Sequence, residues 1–135
     1  MTMAVIIDGK KTAQDIRHEV KVKGARLKEE TGITPGLAVI LVGNDPASQI
    51  YLKHKENACK DAGFFSREFR LPQETLESEL LAVLHELNHD KSIHGILVQL
   101  PLPRHLNSAT VIEAIDPQKD VDGFHPYNLG RLLTG

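Results

Sequence analysis

Leu37-Ala38-Val39-Ile40-Leu41-Val42 is six apolar residues in a row, with no charge and no polar break. Alternation would mark a strand with one wet face. An unbroken run marks a strand buried on both faces, as in a parallel sheet covered by helices. Gly43-Asn44-Asp45-Pro46-Ala47 follows as a loop, and Ser48 to Ala62 reads as a helix ended by Gly63. Upstream, Thr12 to Glu30 places Ala13, Ile16, Val20 and Leu27 near helical spacing, with Gly32 and Pro35 as stops. Val5-Ile6-Ile7 reads as a first strand. Downstream, a weaker strand covers Ser66 to Leu71, and a helix covers Thr75 to Asn88 with Thr75 as its N-cap. His94 to Leu100 is another strand. The tail from Pro101 is loop-rich, with a short helix over Asn107 to Ala114. This β-α-β-α-β-α-β order predicts an α/β three-layer sandwich with a largely parallel sheet. Ligands of such sheets sit beyond the carboxyl ends of the strands, so the loops after Val42 and Leu100 are the places to search.

The length of 135 residues suits one domain with one core. Sixteen basic against eighteen acidic residues, with no Lys/Arg block, favours neither nucleic acid nor an anionic membrane as partner. The single cysteine, Cys59, excludes an internal disulfide and suits a cytoplasmic protein. The start of the chain shows no signal peptide, and no apolar run approaches the roughly 20 residues that span a bilayer.

On a helical wheel of about 100° per residue, Ser48 to Ala62 puts Leu52, Ala58, Cys59 and Ala62 on one side. Gln49, Lys53, Glu56, Asn57 and Lys60 fall on the other, and Ile50 breaks the pattern by pointing outward. Tyr51 and Lys55 lie four apart on the apolar side. Lys55 has two readings. It is a lysine that snorkels to water, or it is a desolvated lysine of lowered pKa that serves as a base near neutral pH. Lys53 and Lys60 already supply charge to the wet face. The helix also starts at the ligand-binding edge of the sheet, and both points favour the second reading.

Two further stretches carry polar residues in suggestive places. Gln99 ends an apolar strand and is followed at once by Pro101-Leu102-Pro103. It is either a strand-end glutamine bonded to backbone or an amide that fixes a neighbouring lysine or a substrate. Asp116-Pro117-Gln118-Lys119-Asp120-Val121-Asp122-Gly123-Phe124 carries three acids in a turn-rich stretch. Loop acids are most often solvated or cap backbone groups, but a buried one can accept paired N–H donors from a planar heterocycle, as a carboxylate does from guanidinium.

These pieces form an ordered set: Val42-Gly43-Asn44-Asp45-Pro46-Ala47-Ser48 with Tyr51 and Lys55, then Gly95-Ile96-Leu97-Val98-Gln99-Leu100-Pro101-Leu102-Pro103, then Pro117 to Phe124, then Asn128-Leu129-Gly130-Arg131-Leu132. The chain resembles the bifunctional methylenetetrahydrofolate dehydrogenase/methenyltetrahydrofolate cyclohydrolases, the FolD family, over essentially its whole length. The resemblance implies that Lys55 is the catalytic lysine and that Gln99 orients it. It implies that Tyr51 packs on the aminobenzoyl part of the folate and that Asp122 holds the pterin ring. Ser48 and Pro101 would line the same pocket. The implied chemistry is NADP-dependent oxidation of 5,10-methylenetetrahydrofolate to the methenyl cation, then hydrolysis to 10-formyltetrahydrofolate. A cytoplasmic homodimer is implied for the full-length protein.

The family continues into a second, Rossmann-type domain that holds most of the NADP site. No G-x-G occurs among the ten glycines here, so the dinucleotide fingerprint is absent. Residues 1–135 are therefore read as the N-terminal catalytic, folate-binding domain, truncated or separately expressed, with no cofactor-binding or metal residue of its own. A non-catalytic folate-binding fragment is the alternative. A short-chain dehydrogenase also uses Tyr-x-x-x-Lys, but it needs the missing glycine-rich turn. His85-Glu86-Leu87-Asn88-His89 fits the zinc-peptidase pattern H-E-x-x-H. Leu76, Leu80, Val83, Leu84 and Leu87 make the core stripe of that helix, however, and the two histidines point away from it.

Overall fold

The computed structural model describes residues 3–135. Its centre is β1, Gly36–Val42, the apolar run read from the sequence. Strand β2, Phe65–Leu71, pairs with it on one side and β3, Gly95–Val98, on the other. All pairing is parallel, in the order β2-β1-β3, with Ile40 opposite Phe69 and Val98. Parallel neighbours need long crossovers. Helix α2, Pro46–Ala62, makes the first, and α3, Glu77–His89, makes the second.

Side chains of β1 alternate between two cores, since successive residues point to opposite faces. Ala38, Ile40 and Val42 pack with Leu80, Leu84 and Leu87 of α3, with Ile96 and Val98 of β3, and with Val111 of α4, Ser108–Glu113. Val39 and Leu41 pack with Leu97 and with Leu52 of α2. The sandwich thus has α3 and α4 on one face of the sheet and α2 on the other. Each fully buried Leu or Ile contributes about 1.5–3 kcal/mol, and most of these lie on the α3 side.

Local signals account for the helix ends. Asp45 caps α2 by accepting the Ser48 N–H at 2.8 Å, Pro46 occupies its first turn, and Gly63 closes it at φ 73°. Helix α1, Gly9–Thr31, is capped by Asp8 and ended by Gly32 at φ 74°. Asn107 caps α4 through the Ala109 and Thr110 N–H groups.

Four expectations need correction. Val5, Ile6 and Ile7 form no strand. They are 88–93% exposed, and no described strand pairs with them. Three apolar residues make a strand only where an edge accepts their backbone hydrogen bonds. The sheet accordingly has three strands, not four. Thr75 is not the cap of α3. It is buried and donates to the Pro72 carbonyl at 2.7 Å, while the Leu76 N–H is satisfied by the Glu79 carboxylate at 2.8 Å. The tail is also less loop-like than expected, because α5 runs over Pro126–Thr134 with Pro126 in its first turn. Finally, α1 has its expected helical register but buries no residue. It lies against α2, with Gly24 close to Phe64, and its exposed face carries the pairs Lys11–Asp15, Glu19–Lys23 and Arg26–Glu30, all four apart.

Candidate functional site

The carboxyl ends of β1 and β3 lie side by side, and each leads into a loop that carries a candidate residue. After β1 the chain turns at Gly43, whose φ is +87°. That left-handed backbone favours glycine, whereas the nearest obstacle to a Cβ is the end of the exposed Gln73 side chain, which can turn away. The turn launches α2, which places Lys55 more than two helical turns along, half-buried.

After β3 the Gln99 N–H donates to the Ile40 carbonyl at 2.8 Å, extending the pairing with β1 by one rung. That rung aims the Gln99 side chain at α2. Lys55 Nζ donates to Gln99 Oε1 at 2.9 Å, bridging residues 44 apart in sequence. Gln99 Nε2 donates to the Leu100 carbonyl at 2.9 Å. The second bond fixes which end of the amide faces the lysine, because only Oε1 accepts. Both readings of Gln99 therefore hold together: it bonds backbone and it holds the lysine.

The acidic stretch reaches the same edge. The Ile96 N–H donates to the Lys119 carbonyl at 2.7 Å, and Asp120 bridges in parallel to Ile96. Lys119 Nζ donates to the Leu87 and Asp90 carbonyls, both at 2.9 Å, which ties the loop to the end of α3. Asn88 accepts from the Asp116 N–H and donates to the Ala114 carbonyl. Of the three acids, Asp116 accepts from the Gln118 N–H, and Asp120 accepts from the His125 N–H and from Asn128. Asp122 alone has no hydrogen-bond partner among the described residues. Partial desolvation holds its carboxyl above the usual carboxylate range, with Lys55 pulling it back and Asp120 pushing it further up. The charge of Lys55 therefore reaches the Asp122 carboxylate.

Tyr51 lies one turn before Lys55 and is 60% exposed, leaving its ring free to meet a planar ligand. Ser48 is buried in the first turn of α2, and Pro101 is exposed on the loop after Gln99. Burial pushes the Cys59 thiol up, away from thiolate chemistry. Missed in the sequence were the anchors of the Asp122 loop, namely Asn88, Lys119, Asp120 and Asn128. Their only sequence signal was polar residues clustered around turns.

A groove of about 760 Å³ lies elsewhere. It runs beside α1, with Ile16, Val20, Leu37 and Phe64 in its walls, and none of Lys55, Gln99 or Asp122 lines it. It lies where α1 stands off the sheet. His85 and His89 lie exposed on α3 with ring centroids 4.5 Å apart, and His89 Nδ1 bonds the His85 carbonyl at 2.8 Å. Among the described residues no group of three His, Cys, Asp or Glu side chains could hold a metal ion. No described helix is long and apolar enough to cross a membrane.

The chain is similar to known proteins in sequence and in fold. The family model described as tetrahydrofolate dehydrogenase/cyclohydrolase, catalytic domain, matches residues 7–122. The bifunctional protein FolD of Geotalea daltonii is 60% identical over 133 residues, which is 98% of this chain and 47% of that protein. The chain thus spans about half the length of the curated relatives it matches. Among solved structures, the FolD methylenetetrahydrofolate dehydrogenase/cyclohydrolase of Campylobacter jejuni is 50% identical with a TM-score of 0.90, over 93% of this chain and 44% of that one. The Trypanosoma brucei enzyme, solved with NADP cofactor and inhibitor, is 35% identical with a TM-score of 0.91, over 98% of this chain and 45% of that one. The chain belongs to the tetrahydrofolate dehydrogenase/cyclohydrolase catalytic-domain family.

Proposed function

We propose that this chain supplies the folate site and the proton-handling lysine of a bifunctional methylenetetrahydrofolate dehydrogenase/methenyltetrahydrofolate cyclohydrolase. The observation that carries this reading is the 2.9 Å bond from Lys55 to Gln99, made at the ligand-binding edge of a parallel sheet. In this reading Asp122 accepts paired N–H groups of the pterin, and Tyr51 stacks on the aminobenzoyl ring. Ser48, in the first turn of α2, and Pro101, on the loop after Gln99, line the same pocket. Residues 1–135 are one folate-binding domain.

The cyclohydrolase step can be written with these residues alone. Water adds to the carbon between N5 and N10 of the methenyl cation, and one of its protons passes to the neutral amine of Lys55. The carbon–N5 bond then breaks, and the ammonium of Lys55 returns that proton to N5. The hydroxyl proton leaves to solvent, and the formyl group stays on N10. Gln99 Oε1 keeps Nζ in place through both transfers, so little orientation entropy is lost at either.

The dehydrogenase step needs NADP as hydride acceptor, and the residues here do not fit a dinucleotide. No glycine-rich turn opens a helix. The start of α2 after β1 is already capped by the Asp45 carboxylate, and α3 after β2 opens with Glu77 and Glu79, so both helix starts would repel a pyrophosphate. The acceptor therefore belongs to the part of the relatives' length that this chain does not span. Cytoplasmic location and homodimer formation of the full-length protein are parts of the same proposal.

The test is a chimera. The 135-residue chain is joined to the second half of the Geotalea daltonii relative, and decay of methenyltetrahydrofolate absorbance is followed. Lys55→Met should lower the rate by about 100-fold or more, the scale of a lost general base, while calorimetric folate binding persists. A Lys55→Met chimera of wild-type rate refutes the proposal. Binding with no turnover in the wild-type chimera favours the non-catalytic alternative.

A further inference from the structure

Asp122 lies in a short loop whose two ends are tied together. Asp120 Oδ2 accepts the His125 N–H at 2.9 Å and Asn128 Nδ2 at 2.9 Å. Asn128 Nδ2 also donates to the Pro117 carbonyl at 2.9 Å. One amide nitrogen, with two hydrogens, thus joins the segment before the loop to the start of α5 beyond it. Residues 121–124 are the stretch left outside this pinch. Asp122 is in it, and Gly123 turns it at φ +71°.

The pinch uses more than a turn needs. Backbone hydrogen bonds suffice to close many turns. Here a half-buried carboxylate receives two N–H donors, and such charge-assisted bonds are roughly twice as strong as neutral ones. Asp120 turns one oxygen, Oδ2, to both donors, while Asp122, two residues on, has no hydrogen-bond partner among the described residues. A loop that must present one carboxylate to a flat heterocycle gains from being ordered beforehand, because ordering it on binding costs affinity.

We propose that Asp120 and Asn128 are positioning residues for folate, holding residues 121–124 closed so that the Asp122 carboxylate meets the pterin. This rests on the reading of Asp122 given above, and it makes the first turn of α5 part of the folate site.

The experiment is calorimetric titration of the 135-residue chain with 5-formyltetrahydrofolate. The variants are Asp120→Ala, Asn128→Ala, Asp122→Asn and the two doubles that include Asp122→Asn. Asp120→Asn is added as a conservative change that keeps one acceptor oxygen. Asp120→Ala and Asn128→Ala should each weaken binding about tenfold, the scale of one lost hydrogen bond to a charged group. Asp120→Asn should recover most of that loss. In the Asp122→Asn background the same two changes should cost little more, because they act through a carboxylate already gone. Loss by the same factor in both backgrounds means a merely structural role and overturns the inference. So does unchanged binding in Asp120→Ala and Asn128→Ala when Asp122→Asn is weakened, and the reading of Asp122 then survives. Wild-type affinity in Asp122→Asn, or no binding by the unaltered chain, overturns that reading and the inference with it.

Discussion

Gly95 opens β3 at the point where the Asp122 loop lies against the sheet, and placing one methyl group there tests that contact. A Cβ on residue 95 would stand 2.5 Å from Val121 Cγ1, 3.3 Å from Leu37 Cδ1 and 4.0 Å from Val121 Cβ. Carbon atoms meet comfortably at about 3.5–4.0 Å, so the Val121 methyl must retreat by about 1 Å and Leu37 by a few tenths. Overpacking of this kind costs about 1–3 kcal/mol. Gly95 has no positive φ, so an alanine suits its backbone and returns about 0.4–1 kcal/mol through the unfolded chain. Gly95→Ala should therefore destabilise by about 0.5–2 kcal/mol net. Val121 is 52% exposed, and Val121→Ala alone should cost within about 0.5 kcal/mol. With both changes the contact with residue 121 becomes Cβ to Cβ at 4.0 Å while Leu37 Cδ1 stays at 3.3 Å, and alanine at 95 should lose most of its cost. Urea unfolding followed by circular dichroism, with equal m-values, measures all four corners of the cycle. Additive costs would refute the contact. Folate binding should follow the same pattern, because moving Val121 moves Asp122.

Leu84 is fully buried between α3 and the sheet, and Leu84→Ala should cost about 2–5 kcal/mol in the same unfolding assay. Asp122 offers a test by pH. Its folded-state carboxyl titrates above its unfolded value, so the folded state holds that proton more tightly. Stability from this group is present below the usual carboxylate range and lost as pH rises through it. Asp122→Asn should consequently be more stable than the parent at neutral pH, with the difference vanishing in acid. An asparagine variant less stable at pH 7 would contradict the sign. Asp45 has the opposite sign, since its bond from the Ser48 N–H holds its carboxyl below the usual range. Its contribution to α2 should be full at neutral pH and fade as pH falls through the carboxylate range, and Asp45→Ala should flatten that acid limb.

What the sequence made legible follows the reach of each interaction. The apolar run of β1 and the stops of α2 are local, and both elements formed within two residues of the expected bounds. The wheel placed Lys55 toward the apolar side and Ile50 outward, and the structure has Lys55 half-buried and Ile50 60% exposed. The same wheel geometry turned His85 and His89 to solvent. Val5-Ile6-Ile7 and α1 show the limit of such patterns. Hydrophobic spacing states which face would be buried, but a partner must be present to bury it. Ile16, Val20 and Leu27 keep helical spacing and remain 37–54% exposed.

The Lys55–Gln99 bond lies between these cases. Nothing local joins two residues 44 apart, yet topology does. In a parallel sheet every strand ends at the same edge, so a polar residue closing β3 must lie near the first turns of the helix that follows β1. Asp122 needed one more step, because its segment belongs to no strand. A single backbone bridge to Ile96, the Lys119 ammonium at the end of α3 and the Asp120–Asn128 pinch bring it to that edge. Each anchor is a polar side chain whose partner is named only by the folded chain. Lys55 was therefore readable from spacing and topology together, whereas the placement of Asp122 depends on contacts that no periodicity records. That difference makes the Asp122 loop, with Gly95 beneath it, the place where small substitutions should move function most while leaving the core intact.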